Sequence, residues 1–194
     1  RRWSGQLAAR SLNSSNGRLV QESGSYIGDV VWEAGSELDQ RNLDFNPRQI
    51  ITYDATNARG EGFAWANLTF DQRADLLEGT EAMDTTAAET LAKQRLAYLR
   101  GDRTREVPSG DFRPRDSRLG DIVHSAPVFV DRPSMGWPDR APYGLEGDRY
   151  SDFRNSSAIR NRTSVVYVGA NDGMLHAFEG TRESTGGKEL FAYV

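Results

Sequence analysis

The 194 residues include no cysteine, so the chain can build neither a disulfide framework nor a thiolate metal site, and oxidising and reducing compartments both stay open. Lysine is nearly absent: Lys93 and Lys188 are the two, and arginine supplies the rest of the 24 basic residues. With 28 acidic residues the net charge is −4, which argues against a nucleic-acid binder, because phosphate recognition needs a basic face. Two histidines, His124 and His176, do not make a zinc site without cysteine. No D-x-D-x-D-G run with a following acidic ligand occurs, so no metal is expected. No apolar stretch approaches the roughly 18 residues of a membrane span. The sequence opens on Arg1 without an initiator Met or a hydrophobic leader and stops at Val194 inside a strand-like pattern, so it is expected to be a piece of something larger. Charged residues make up 27% and hydrophobic ones 37%, a polar balance that predicts long surface loops.

What is present is mostly strand pattern. Val165 to Gly169 and Met174 to Phe178 alternate with period two around Asn171-Asp172-Gly173, residues that tolerate positive φ, and this predicts a hairpin. Glu189 to Val194 follows as a third strand. Earlier, residues 3–12, 18–21, 30–32 and 48–53 read as strands, with 13–17 as a turn. Helical signals begin at Thr69, where Thr69 with Gln72 and then Thr86 with Glu89 form capping-box patterns. Ala88, Leu91, Ala92, Leu96 and Leu99 then make one apolar face, with Lys93, Gln94 and Arg95 outside it. Gly101 stops that helix. The organisation expected is therefore strands over 1–67, a two-helix insertion over 68–101, a connector over 102–118, and strands over 119–194. Within the last of these, 131–163 is a long polar loop, and Pro127 splits the stretch from Leu119 to Val130 into a turn and a short strand.

The order of these landmarks carries a resemblance. Trp3-Ser4-Gly5, Trp32-Glu33-Ala34-Gly35 and Arg48 to Thr52 precede the helical pair ending at Asp102. Arg113-Pro114-Arg115, Leu119 to Pro127 and the hairpin from Tyr167 to Phe178 follow it. The chain resembles the C-terminal β-propeller of the PilC/PilY family of type IV pilus biogenesis factors and tip-associated adhesins. The resemblance implies a mainly β fold, a partial or modified propeller with quinoprotein-like blades and a short two-helix insertion. It implies export to the bacterial cell surface, pilins or other pilus components as partners, attachment to a host or abiotic surface, and no enzymatic activity. Some members carry a calcium loop in the propeller, and the acidic run that would form it is missing here.

Residues 168–178, with the strand Gly187 to Phe191, are also similar to the repeat of pyrroloquinoline-quinone dehydrogenases, but such enzymes repeat the phrase once per blade, about every forty to fifty residues, and here it occurs once. An envelope-assembly scaffold propeller is the remaining alternative. Arg100-Gly101-Asp102 spells the tripeptide that integrins read in exposed loops, set against the reading of Gly101 as a helix stop. Asp121, His124 and Ser125 lie too close along one strand and turn to converge as a triad and are expected to be structural. His176 is expected to be packed and hydrogen-bonded. Trp3 and Trp32 read as core, and Trp137, between Pro133 and Pro138, is the aromatic most available to a partner.

Overall fold

The computed structural model describes residues 5–12, 20–22, 25–27, 29–145 and 147–194. Trp3, Ser4 and the turn expected over 13–17 lie outside the described residues. The architecture is mixed α/β with a sheet-rich core, rather than mainly β. β1 (Ala8–Arg10) pairs antiparallel with β4 (Val30–Glu33), and between them β2 (Val20–Glu22) and β3 (Ser25–Ile27) form a small hairpin. A short helix, α1 (Ala34–Gln40), follows β4 directly. It starts there because the Glu33 carboxylate accepts hydrogen bonds from the Gly35 and Ser36 amides. A glutamate acting as N-cap is not the residue type that marks a helix start in a sequence, so α1 lies within the stretch 1–67 expected to be strands.

The main sheet begins with the hairpin β5 (Ile50–Asp54) and β6 (Arg59–Gly62). After it come α2 (Phe70–Leu77) and α3 (Thr85–Leu99). α2 carries the expected capping box: Gln72 N–H donates to Thr69 Oγ1, and the Thr69 amide donates to Gln72 Oε1. α3 starts earlier than the pattern at Thr86 implied, because Asp84 is its cap and accepts from the amides of Thr86 and Ala87. Ala88, Ala92 and Leu96 are buried as expected, whereas Leu99 is exposed. Arg95 is not an outward residue either: it reaches back to the carbonyls of Leu76 and Glu78 and holds the end of α2 against α3. The excursion 131–163, expected to be all loop, contains two further short helices, α4 (Tyr150–Asn155) and α5 (Ser157–Arg160).

Four later strands pair in strict chain order. β7 (Val128–Val130), β8 (Val165–Gly169), β9 (Leu175–Glu179) and β10 (Glu189–Tyr193) form an antiparallel meander. β10 then accepts β5 alongside it in parallel, so the full order is β6-β5-β10-β9-β8-β7. The sheet stays open and does not close into a barrel.

Its inner face builds two apolar clusters. One joins Leu7, Trp32, Ala34, Leu38, Leu119, Val166, Val168 and Phe178; the other joins Ile50, Phe63, Leu68, Leu96, Met174 and Ala192. Trp32 is the core residue its strand position suggested, and its indole N–H donates to the Thr181 carbonyl. Gly186 is forced by that ring, since a Cβ there would lie 2.5 Å from Trp32 Cδ1 and 2.3 Å from the Thr181 carbonyl oxygen. Leu38, on α1, has no exposed surface at all. Leu38→Ala removes its packing against this cluster and is expected to cost about 2–5 kcal/mol, read as a lower denaturant midpoint with an unchanged slope. A cost below about 1 kcal/mol would show that α1 is not part of the cooperative core.

Candidate functional site

Beneath the hairpin between β8 and β9 lies a row of four ionisable side chains, three of them buried. Arg48 forms a two-pronged ion pair with Glu189, Nε to Oε2 and Nη2 to Oε1, both at 2.7 Å. Glu189 Oε1 lies 2.9 Å from His176 Nδ1, and His176 Nε2 lies 3.1 Å from both oxygens of Asp172. Arg48, His176 and Glu189 are all buried, so each charge survives only because the next one compensates it. Burial pushes the Glu189 carboxyl up, but Arg48 and His176 outweigh it and hold the group down at about 2. Arg41 adds a hydrogen bond to the Glu189 carbonyl while its other donors hold Asn46 and the Pro47 carbonyl.

Glu189 reaches this row because of a bulge. Its Cα partner on β9 is Phe178 while that of Phe191 is Ala177, leaving Leu190 as the extra residue. Without it Glu189 would share the outer face with Phe191 and Tyr193; with it, Glu189 and Ala192 both point inward. His176 is the packed, hydrogen-bonded residue the alternation suggested. Its partners were not foreseen, because a bulge and an ion pair 141 residues apart leave no local signature.

The outer end of the row forms the wall of a cleft. Asp172 accepts from the amides of Gly120 and Met174, at 3.0 and 3.1 Å. The Asn171 side chain donates to the Asp121 carboxylate at 2.7 Å and its amide to the Asp121 carbonyl at 2.9 Å, while the Gly169 amide donates to Ser125 Oγ. Two of the landmark stretches of the resemblance, from Leu119 and from Tyr167, are thus stitched to one another. A Cβ at Gly120 would lie 2.5 Å from the Asp172 amide nitrogen, so the approach requires glycine. The cleft has a volume of about 850 Å³ and runs between this seam and the end of α3, with Leu99, Arg113, Pro114, Asp116 and Val123 along it. His124 is exposed and Ser125 is engaged with Gly169, so Asp121, His124 and Ser125 do not assemble into a nucleophilic site.

Arginines also organise the far side of the cleft. Arg115 pairs with Glu106 at 2.7 Å, donates to the carbonyls of Tyr98 and Asp102, and lies 3.8 Å over the Tyr98 ring. Arg118 donates to the carbonyls of Leu38 and Asp39 at the end of α1 and of Gly101 at the end of α3. The stretch 102–118, expected to be a plain connector, is the clamp that satisfies both helix ends.

Arg100, Gly101 and Asp102 sit in that clamp. Gly101 has φ of +106° and is buried, and its amide donates to the Tyr98 carbonyl while the Asp102 amide donates to that of Ala97, the paired bonds of a Schellman helix stop. Arg100 donates to the carbonyls of Phe63 and Arg48. The tripeptide is therefore wound into a helix end rather than carried on a loop tip. Trp137 is elsewhere, in the excursion between β7 and β8, half exposed and stacked on Tyr143 with ring centroids 4.8 Å apart. The excursion is cross-braced within itself: Asp139 accepts from the Ser151 amide at the start of α4, and Arg154 reaches the Met135 carbonyl.

The donor set does not suit the calcium that the resemblance brings with it for some relatives. Asp172 is committed to His176 and two amides and Asn171 to Asp121, and among the described residues no group of three or more His, Asp or Glu side chains is placed to hold a metal ion. Among the described residues, no helix is long and apolar enough to cross a membrane.

Comparison with known proteins places the chain. It is 35% identical over 192 residues to the type IV pilus biogenesis factor PilY1 of Pseudomonas aeruginosa strain PAK, a match covering 99% of this chain and 15% of that protein. It is 44% identical over 194 residues to a PilY1 homolog of Xylella fastidiosa strain Temecula1, covering 97% of this chain and 14% of that protein. Over nearly its whole length the chain is thus similar to one segment of the PilY1 pilus biogenesis factors. It spans about one seventh of the length of the curated relatives it matches. No family model and no solved structure matches it.

The buried charges make a sharp expectation. Glu189→Ala leaves Arg48 and His176 facing each other without their shared anion, and is expected to cost about 3–5 kcal/mol or to abolish folding, measured by urea unfolding. Asp121→Ala, at the rim of the cleft, is expected to cost about 1 kcal/mol in the same assay. Equal costs for the two would mean that the buried row is solvated.

Proposed function

We propose that this chain is part of a β-propeller in a non-enzymatic type IV pilus biogenesis factor, exported to the bacterial cell surface. There the propeller serves as a platform on which pilins or an external surface dock. The observation that carries the pilus reading is identity of 35–44% to PilY1 proteins across nearly the whole chain.

The propeller part of the proposal rests on the sheet. A four-stranded antiparallel meander in chain order is the form of a blade, and β7 to β10 have that form. The sheet also has a second apolar face. Strand register puts Ile51, Tyr193 and Leu175 in one row across it and Phe191, Ala177, Tyr167 and Val128 in the next, and of these Ile51, Val128, Leu175 and Tyr193 are exposed in this chain. Tyr167 and Phe191 meet edge-on across that face. A sheet stacked between neighbouring blades buries both faces, whereas a sheet with one wet face alternates apolar with polar. The parallel strand β5, added beside β10, is the departure from a simple blade. Leu175→Lys separates the cases. In the intact protein it is expected to lower the unfolding midpoint by an amount corresponding to a loss of about 2–4 kcal/mol, since it buries an unpaired charge. An effect within about 0.5 kcal/mol would mean that the outer face is solvent-facing in the whole protein.

Docking is assigned to the excursion between β7 and β8, where the Trp137–Tyr143 pair is presented on an internally braced segment with Met135 and Leu145 also exposed. Trp and Tyr dominate binding hot spots because they offer large, stiff contact area. Trp137→Ala and Tyr143→Ala are expected to leave pilus number unchanged and to reduce surface attachment several-fold. Deletion of the whole segment from a bacterium's own copy should remove pili. Attachment at wild-type level in both single variants would remove the excursion from the contact, and normal piliation after the deletion would overturn the biogenesis role.

A further inference from the structure

The contacts of His176 leave the ring one workable state. Both of its nitrogens face carboxylates, Nδ1 toward Glu189 at 2.9 Å and Nε2 toward Asp172 at 3.1 Å, and the residue has no exposed surface. A neutral imidazole owns a single N–H, so in that state one nitrogen would aim a lone pair at an anion. The imidazolium alone donates to both. The other groups around it do not change this: β8 presents Val168 opposite it, Phe178 stacks parallel to it at 5.6 Å, and Arg48 and Arg41 stand behind Glu189. Asp172 is therefore held from one side by His176 and from the other by the amide of Gly120, which belongs to the cleft wall.

We propose that the His176 imidazolium is the pin of a clasp that holds the turn at 171–173 against the 119–121 segment, so that loss of its proton releases this wall of the cleft. Burial alone would push His176 down, but hydrogen bonds and charge from Asp172 and Glu189 outweigh it and hold the group above its ordinary value. Asp172 is held below the usual carboxylate range, burial opposing and His176 prevailing. The sign follows from linkage. The contribution of a raised histidine is complete below about pH 6.5 and is lost as pH rises through its folded-state value. That of Asp172 and Glu189 is complete above the ordinary carboxylate range and is lost as pH falls through their lowered values. The clasp is thus closed below the raised His176 value and opens as pH rises through it.

The test uses the intact protein that carries this chain. Histidine C2 hydrogen exchange, read by mass spectrometry on the peptide containing His176, reports its protonation from about pH 5 to about pH 10, and amide exchange on the peptide containing Gly120 is followed in parallel. The exposed His124 provides the internal comparison. The expected result is one midpoint for both signals, above the ordinary histidine value of about 6.5, with the Gly120 peptide losing protection beyond the intrinsic rise in exchange rate. In Asp172→Asn the His176 midpoint is expected to move down and the coupled step at Gly120 to disappear. A His176 ring that exchanges as the neutral form at about pH 6, or Gly120 protection unmoved through the His176 titration, overturns the clasp; if Asp172→Asn does not fold, the wild-type pair of curves decides alone.

Discussion

Glu189 holds a negative charge where almost no water reaches, and the arrangement of this chain follows from what that charge requires. An isolated buried carboxylate would take up a proton or force the strand outward. Arg48 ahead of β5 and His176 on β9 prevent both, and in doing so fix the order of three strands: β5 must lie beside β10 for Arg48 to reach, and β9 must lie on the other side for His176 to reach. The parallel pairing of β5 with β10 makes few backbone contacts by itself, with Ala192 and Tyr193 opposite Ile50 and Ile51. The ion pair at its end supplies the specificity that so short a ladder lacks. Buried ion pairs are weak evidence for stability but good evidence for register, since a slip of one residue would orphan every member.

Arginine does similar work in the irregular parts. Arg41, Arg95, Arg100, Arg115 and Arg118 all donate to backbone carbonyls, most of them at helix ends. The guanidinium suits this because it is planar, presents five donors and is less strongly hydrated than an ammonium. The abundance of arginine over lysine thus has a structural use here: the connections between strands and helices are held by multidentate donors rather than by apolar packing.

The functional reading puts rigidity and exposure in different places. The seam between the 119–125 and 169–174 segments is close-packed and charge-locked, while the excursion between β7 and β8 carries its aromatic pair outward. A binding platform benefits from that division, because the stacked Trp137–Tyr143 pair has less side-chain freedom to lose when a partner arrives than two separate rings would.

The local elements were legible where one interaction of short range decides them. Thr69 with Gln72, the turn at Asn171 to Gly173, the apolar face through Ala88, Ala92 and Leu96, and the helix stop at Gly101 each depend on residues within a few positions, so residue type and spacing sufficed. The helix after Glu33 and the helices hidden in the 131–163 excursion were not legible, because their caps are unusual or absent and their length is a turn or two. By itself the sequence determined the hairpin, the two-helix insertion and the resemblance to the PilC/PilY family. Only the tertiary structure decided that Glu189 faces inward through a bulge, that Arg48 and Asp172 flank one histidine, and that two distant motifs share a seam. The reason is physical: a buried charge chooses its partner by distance through space, and the chain records that choice as a set of ordinary polar residues with nothing local to mark them.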